Sequence, residues 1–97
     1  MGSVTILKYH LVLMTKNHRP SLKGIEQSVY KALRRVEEVS DFRILDMGIE
    51  DGNHIHLAIK MSPRYSVSSM VNRIRGLSQH YLWQEEEVHL SLIHISE

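Results

Sequence analysis

The order of strand and helix patterns in this 97-residue chain predicts an α+β fold, a ferredoxin-like two-layer sandwich with an antiparallel sheet. Three observations carry this prediction: alternating apolar segments, two segments with helical spacing, and a hairpin signal between the middle strands. Together they give the order β-α-β-β-α-β. The length suits one small domain with a single hydrophobic core.

The first strand and the first helix are predicted in the N-terminal part of the chain. Residues 4–15 alternate between apolar side chains and polar ones such as Lys8 and His10, which is typical of a strand. A polar break follows. Residues 25–36 then carry apolar side chains at helical spacing, and Ser40-Asp41 ends this helix.

A hairpin is predicted in the middle of the chain. Residues 42–50 and 54–61 read as strands, and Asp51-Gly52-Asn53 between them is a strong turn signal. Loop length decides which side chains share a face, because a shift of one residue turns every side chain over. A two-residue loop would mix apolar and polar side chains on one face, so burial favours a three-residue loop.

The three-residue loop sets the pairing of the two strands. It pairs Glu50 with His54 and Gly48 with His56, and it brings Asp46 near the imidazoles. Gly48 then leaves empty space beside His56. The residues expected to share the apolar face are Leu45, Met47, Ile49, Ile55, Leu57 and Ile59.

The last predicted elements are a helix and a strand. Ser66 is the expected N-cap of a helix from Val67 to about Leu82, and residues 88–95 alternate well enough for a final strand. The buried face of the helix is expected to hold Val67, Met70, Val71, Ile74, Leu77 and Tyr81. Its outer face carries Asn72, Arg73, Arg75, Gln79 and His80.

Composition excludes several classes of protein. A net charge of +1 gives no overall basic field, so contact with nucleic acid must come from local clusters of Lys and Arg. The absence of cysteine excludes a disulfide framework and a thiolate metal site. No apolar run reaches the roughly 18 residues of a membrane span, and the N-terminus lacks the pattern of a signal peptide. The expected location is therefore the cytoplasm.

The most informative motif is the pair His54 and His56. Residues at spacing i, i+2 in a strand point to the same side, so both imidazoles share a face with Lys60. Such a pair is more often two surface histidines than a metal site, and it supplies too few ligands for zinc. It does suit a cation that is also held by substrate oxygens, with Glu50 or Asp46 as a candidate carboxylate ligand.

Other polar residues are candidate contacts to a nucleic-acid backbone. Taken alone, they are more often solvated surface groups, and they matter only because a metal–phosphate site is predicted nearby. The candidates are Lys16, Arg19, Lys60, Asn72, Arg73 and Arg75. Tyr81 lies on the apolar stripe of the second helix and is most simply a packing residue, although a helical tyrosine can serve as a nucleophile.

Several segments, in this order, resemble one known family. They are Tyr9-His10-Leu11-Val12, Thr15-Lys16, Arg19-Pro20, Gly48-Ile49-Glu50, Asn53-His54-Ile55-His56-Leu57, and residues 63–68 and 71–76. Together they resemble the HUH-type single-tyrosine transposases of small insertion sequences, which are relatives of the REP-associated tyrosine transposases. The resemblance covers about residues 9–82.

This resemblance implies a function and a set of partners. It implies a homodimer that joins its sheets and recognises single-stranded DNA carrying hairpins, for strand cleavage and rejoining in DNA transposition. It implies that His54 and His56 bind Mg²⁺ or Mn²⁺, which polarises the scissile phosphate, and that a tyrosine then attacks this phosphate.

The family's nucleophilic tyrosine lies on a C-terminal helix, with a glutamine that completes the metal shell. None of the four tyrosines here matches that tyrosine by position, and Tyr81 is the only helical candidate near the predicted site. The resemblance therefore implies a single HUH domain over residues 1–97 that lacks the nucleophile helix. We expect this truncated chain to be catalytically incomplete.

Two other functions stay open. One is a non-catalytic module that binds single-stranded nucleic acid, and the other is a dimeric regulator of a full-length relative. Modules of the first kind usually stack bases on aromatic side chains of the open sheet. The predicted open face carries histidines and a lysine but no aromatic platform, which favours a phosphate or metal site. Binding that survives chelation and His54→Ala would favour the module.

Overall fold

The structure is a computed structural model that describes residues 7–16, 19–62, 66–86 and 92–96. Its elements are β1 (Leu7–Thr15), α1 (Glu26–Glu38), β2 (Arg43–Glu50), β3 (His54–Met61), α2 (Val67–Glu86) and β4 (Leu92–Ser96). This is the predicted order β-α-β-β-α-β. The predicted strand residues 4–6 and 88–91 lie outside the described residues, as do residues 63–65 of the family-like segment.

The four strands form one antiparallel sheet in the order β2-β3-β1-β4. Apolar side chains from one face of this sheet pack with those of α1 and α2 in a single core. Both helices therefore cover the same face, and the opposite face of the sheet stays open. The predicted ferredoxin-like sandwich is confirmed.

The core follows from the alternation of β1 and β3. Leu11 lies opposite Leu57, and Leu13 lies opposite Ile55, and all four side chains are buried. A strand whose alternate side chains enter the core must point the others to the open face. This alternation decides which side chains are available for function.

One predicted core position is wrong. Leu45 is 49% exposed, whereas its neighbour Ile44 is 4% exposed and packs in the core. The pairing of β2 with β3 shifts between Ile44 and Asp46, so Leu45 is the extra residue of a β-bulge. A period-two pattern cannot reveal an inserted residue, which is why Leu45 was expected inside.

Side chains of α1 satisfy the backbone beside this bulge. Ile44 donates its N–H to Glu37 Oε2 at 2.6 Å, and its carbonyl oxygen accepts a hydrogen bond from Arg34 Nη1 at 3.0 Å. Arg34 and Glu37 also pair with each other at 3.0 Å. Since β2 is an edge strand, these bonds replace the ladder that a neighbouring strand would supply.

The turn between β2 and β3 has the predicted three residues. Glu50 pairs with His54, and Asp51 and Gly52 both have positive φ, at 56° and 67°. The connection between β1 and α1 docks on this turn, because Leu22 N–H donates to the Gly52 carbonyl at 2.9 Å. The predicted pairing of Gly48 with His56 is also present, and Asp46 lies opposite Ala58.

Helix α2 begins where it was predicted and ends later. The Ser66 hydroxyl accepts a hydrogen bond from the Ser69 N–H at 3.1 Å, which confirms Ser66 as the N-cap. The helix continues to Glu86 rather than ending near Leu82, and Leu82 is fully buried. No helix in the described part of the chain is both long and apolar enough to cross a membrane.

Candidate metal and nucleic-acid site

The predicted histidine pair lies on the open face of the sheet. Residues Ile55 and Leu57 of β3 are buried in the core at 1% and 0% exposure, so His54 and His56 point the other way. The two ring centroids are 6.3 Å apart and the ring planes differ by 23°. The two imidazoles therefore lie side by side on β3, and the opposite face of this strand is packed in the core.

A hydrogen bond from the turn orients His54. Its Nδ1 lies 2.5 Å from the amide oxygen of Asn53, and because that oxygen can only accept, Nδ1 carries the proton. The other ring nitrogen, Nε2, is then the basic atom, which is the form of histidine that binds a cation. The backbone of Asn53 is itself held, since its carbonyl accepts from Thr15 N–H at 2.9 Å and its N–H donates to Glu50 at 3.2 Å.

His56 carries a nitrogen that has no hydrogen-bond partner. Its Nε2 is buried although the side chain as a whole is 44% exposed, and no described group satisfies it. The nearest carboxylate oxygen, Glu50 Oε2, lies 3.5 Å away, which is an ion-pair distance without hydrogen-bond geometry. An unsatisfied nitrogen beside a carboxylate is an arrangement that a bound cation would complete.

A groove of about 260 Å³ opens beside His56. It is lined by His10, Asp46, Met47, Gly48, Ile49, Glu50, His56, Leu57 and Ala58. A Cβ atom built on Gly48 would have no heavy atom within 4 Å, so the empty space predicted beside His56 is present. The groove gives a substrate access to His56 from the open face.

The described residues supply only part of a metal site. In ranges 7–16, 19–62, 66–86 and 92–96, no group of three or more His, Cys, Asp or Glu side chains is arranged to hold a metal. Asp46 Oδ1 accepts a hydrogen bond from the Met47 N–H at 3.0 Å, so this carboxylate turns back on its own strand. The two imidazoles, with Glu50 beside one of them, fit a cation whose other ligands are water and phosphate oxygens.

Tyr81, the candidate nucleophile, is not brought to this site. It lies on α2 and is partly buried against the core, with the Arg35 guanidinium carbon 4.2 Å from its ring centroid. The sheet therefore separates Tyr81 from the imidazoles of the same chain. Its contacts are those of the packing residue that the apolar stripe indicates.

The predicted backbone contacts fall in three places. Lys60 lies on the open face with the histidines, four residues further along β3. Lys16 and Arg19 are exposed in the connection after β1, where the Thr15 hydroxyl donates to the Arg19 carbonyl at 2.5 Å. This connection docks on the turn that precedes His54, so its two cations are held beside the histidine end of the sheet.

The remaining candidates lie on α2, in the layer behind the sheet. Arg73 donates to the Ser40 hydroxyl at 2.7 Å and to the Val39 carbonyl, so it joins α2 to the end of α1. Asn72 is exposed, and Arg75 is half-buried and already makes a contact. None of the three is therefore placed beside the histidine pair, and the Arg73 guanidinium is bound to the end of α1.

Sequence reasoning missed two cations on the open face. Lys8 on β1 and Arg43 on β2 are both direct cross-strand neighbours of Lys60. Each looks like an ordinary surface charge in the sequence. Only the pairing of three strands brings them together. A correct prediction of the β1–β3 and β2–β3 registers would have placed both cations beside Lys60.

Comparison with known proteins identifies the family. The family profile described as "Transposase IS200 like" matches residues 3–94. The transposases for insertion sequence element IS200 of Salmonella typhimurium (strain LT2) and of Salmonella typhi are each 32% identical to this chain over 79 residues. The matches cover 80% of this chain and 51% of each relative, so the chain spans about half the length of these curated proteins.

Solved structures show the same fold. A candidate transposase from Deinococcus radiodurans R1 superposes with a TM-score of 0.81 at 16% identity, over 100% of this chain and 83% of that one. A REP-associated tyrosine transposase, bound to a REP hairpin in its own structure, has a TM-score of 0.62 at 16% identity, over 93% and 56%. The fold, the profile match and the Salmonella relatives agree: this chain belongs to the IS200-like transposase family.

Proposed function

We propose that this chain acts in DNA transposition as an HUH-type single-tyrosine transposase domain. In this proposal it binds single-stranded DNA that carries a hairpin and takes part in metal-dependent strand cleavage and rejoining. One observation carries it: His54 and His56 stand side by side on the open face, and His56 Nε2 is unsatisfied beside the carboxylate of Glu50.

The proposed mechanism uses these side chains to hold a phosphate at the sheet surface. A bound Mg²⁺ or Mn²⁺ would supply Lewis-acid polarisation of that phosphate. His54 and His56 would hold the ion through Nε2, and Asn53 keeps the proton of His54 on Nδ1. Lys60, on the same face of β3, would contact a phosphate further along the same DNA strand.

The attacking tyrosine is left out of this assignment. The tyrosines that the structure describes are Tyr9, Tyr30 and Tyr81. Tyr9 shares the core face of β1 with Leu11, and the other two lie on α1 and α2, so all three are on the helix side of the sheet. The proposal therefore assigns this chain the metal and DNA contacts and leaves the nucleophile open.

The proposal includes a homodimer that joins two sheets. Its support is the edge position of β2, because the backbone groups of this strand that Arg34, Glu37 and Asp46 do not already bind can pair with another strand. Sedimentation equilibrium of the purified chain tests this part. A mass of 11.3 kDa at all concentrations would contradict it.

The test is a gel assay with a labelled single-stranded hairpin oligonucleotide and Mg²⁺ or Mn²⁺, run under native and denaturing conditions. We expect a native shift that chelation weakens and that His54→Ala combined with His56→Ala removes. His80→Ala is the matched control, because His80 is exposed on α2 behind the sheet. A band that survives denaturation would show that the chain also contains a competent nucleophile.

Two results would contradict the proposal. Binding that is unaffected by chelation and by the loss of both histidines would favour a non-catalytic nucleic-acid-binding module. No shift even at low salt, where phosphate contacts are strongest, would favour a dimeric regulator without a nucleic-acid role.

A further inference from the structure

Three cationic side chains form a row across the open face. Lys60 on β3 lies directly opposite Lys8 on β1, and on its other side it lies directly opposite Arg43 on β2. Directly opposed residues of antiparallel strands share a face, and neighbouring strands are about 4.8 Å apart. The row therefore extends about 10 Å across three adjacent strands.

None of the acidic side chains that the structure describes forms an ion pair with these three cations. Within the part of the chain that the structure describes, Lys8, Lys60 and Arg43 make no hydrogen bond and no salt bridge through their side chains. Arg43 also lines a groove with Glu37, Glu38 and Asp41 at the end of α1, and the carboxylates of Asp46 and Glu50 lie further along β2 on the open face. Like charges directly opposite each other destabilise a sheet, so three in a row indicate that an anion belongs there.

The row stands at a defined distance from the histidine pair. Lys60 follows His56 by four residues on the same face of β3, which corresponds to about 13 Å along the strand. Between them β3 carries the small side chain of Ala58, and the neighbouring strands place His10 and Asp46 on either side of it. A single strand whose phosphate lies at the histidines can continue along β3 to the row.

We propose that Lys8, Lys60 and Arg43 form a binding site for the phosphate backbone of single-stranded DNA that extends from the histidine pair. This inference rests on the proposed function, and it adds Lys8 and Arg43 to the DNA-binding surface. The row itself consists only of cationic side chains, so it contacts phosphates, and the imidazole of His10 lies next to it on the open face, two residues from Lys8 along β1. The contribution of the row to binding is therefore independent of DNA sequence and sensitive to salt.

The experiment measures fluorescence anisotropy of two labelled oligonucleotides over a range of salt concentrations. One is a hairpin alone, and the other is the same hairpin with a single-stranded extension. We expect Lys8→Gln and Arg43→Gln each to weaken binding of the extended oligonucleotide several-fold. Each should reduce the steepness of the plot of log binding constant against log salt concentration by about 0.7. Binding of the hairpin alone should change less.

Two controls separate charge from folding and from general attraction. Lys8→Arg keeps the charge and should restore both affinity and slope. Lys31→Gln removes an exposed lysine of α1, on the helix side of the sheet, and should behave as the wild-type chain. Thermal unfolding of each variant checks that the fold is retained.

The outcomes distinguish this inference from the proposed function. One outcome would contradict the phosphate site at the row and leave the proposed function standing. In that outcome the Lys8 and Arg43 variants bind with wild-type affinity and salt slope, while removal of both histidines still abolishes binding. Equal weakening by Lys31→Gln would also contradict the phosphate site, because the attraction would then be non-specific. Failure of the wild-type chain to bind either oligonucleotide would overturn both proposals.

Discussion

Asn53 decides which nitrogen of His54 can reach a cation. Its amide oxygen accepts a hydrogen bond from the Nδ1–H of His54, and its backbone is held by hydrogen bonds to Thr15 and Glu50. A turn residue that is held in this way limits both the tautomer and the ring orientation of its neighbour. The sequence motif marks the histidines, but the chemistry of the first one depends on the residue before it.

We expect Asn53→Ala to weaken Mn²⁺ binding by about tenfold, the lower end of the range for a lost hydrogen bond to a metal ligand. Asn53 has no positive φ, so alanine keeps the backbone of the turn. Titration with Mn²⁺, followed by broadening of the imidazole NMR signals, measures the affinity. Nitrogen-15 shifts report the His54 tautomer.

Two further variants test this prediction about Asn53. Asn53→Asp retains an acceptor for the Nδ1 proton and should keep both the tautomer and most of the affinity. Gln27→Ala, which removes an exposed amide from α1, should change neither. A lower melting temperature for Asn53→Ala with unchanged tautomer and affinity would mean that the bond only stabilises the turn.

At the level of elements, the bulge in β2 determines which of two adjacent residues enters the core. Ile44 is buried and its backbone is held by Arg34 and Glu37, whereas Leu45 points away from the core. After the bulge the alternation resumes, and it brings Gly48 and Glu50 to the open face beside the histidines. The inserted residue Leu45 therefore allows β2 to pair with β3 on both sides of the bulge.

We expect Ile44→Ala to lower the free energy of unfolding by about 2 to 5 kcal/mol, the usual cost of truncating a buried isoleucine. Leu45→Ala is the matched control and should cost less than about 1 kcal/mol, because this side chain is half exposed. Chemical denaturation of both variants measures the difference. Equal losses would mean that the bulge does not place Leu45 outside the core.

At the level of the whole molecule, charge is unevenly distributed over the open face. Glu50 and Asp46 lie at the histidine end of β2, and Arg43 lies at the other end, beside Lys60. Carboxylates repel phosphate, so under the proposed function an ion bound between Glu50 and the phosphate would offset this repulsion. This arrangement explains why metal dependence and DNA binding would be coupled at one site.

We expect Glu50→Gln to bind single-stranded DNA more tightly than the wild-type chain in the presence of a chelator. The carboxylate that repels phosphate is then absent, and the gain should be several-fold at low salt, where screening is weak. In Mg²⁺ the difference should shrink or reverse, because the ion offsets the carboxylate. Anisotropy titrations with and without the chelator measure both conditions.

A matched control shows whether this effect is local. Glu26→Gln removes a carboxylate at the start of α1, where an amide oxygen can still accept the hydrogen bond from Gly24 N–H. Its effect on DNA binding should be absent. Equal gains in the two variants would show that net charge, and not the position of Glu50, controls the affinity.

The sequence by itself determined the order of elements, the hairpin register and the open face of β3. These properties follow from local rules: period-two alternation, helical spacing, a turn signal, and the burial advantage of one register over the next. The N-cap at Ser66 and the side-by-side placement of His54 and His56 belong to this group.

Only the tertiary structure decided the remaining features of the site. The exposure of Leu45 depends on an inserted residue, the role of Arg73 depends on its contact with the end of α1, and the distance of Tyr81 from the histidines depends on the sheet between them. The row of Lys8, Lys60 and Arg43 needs two strand registers at once. Such features arise from contacts between residues far apart in the chain, and no periodicity within one segment encodes them.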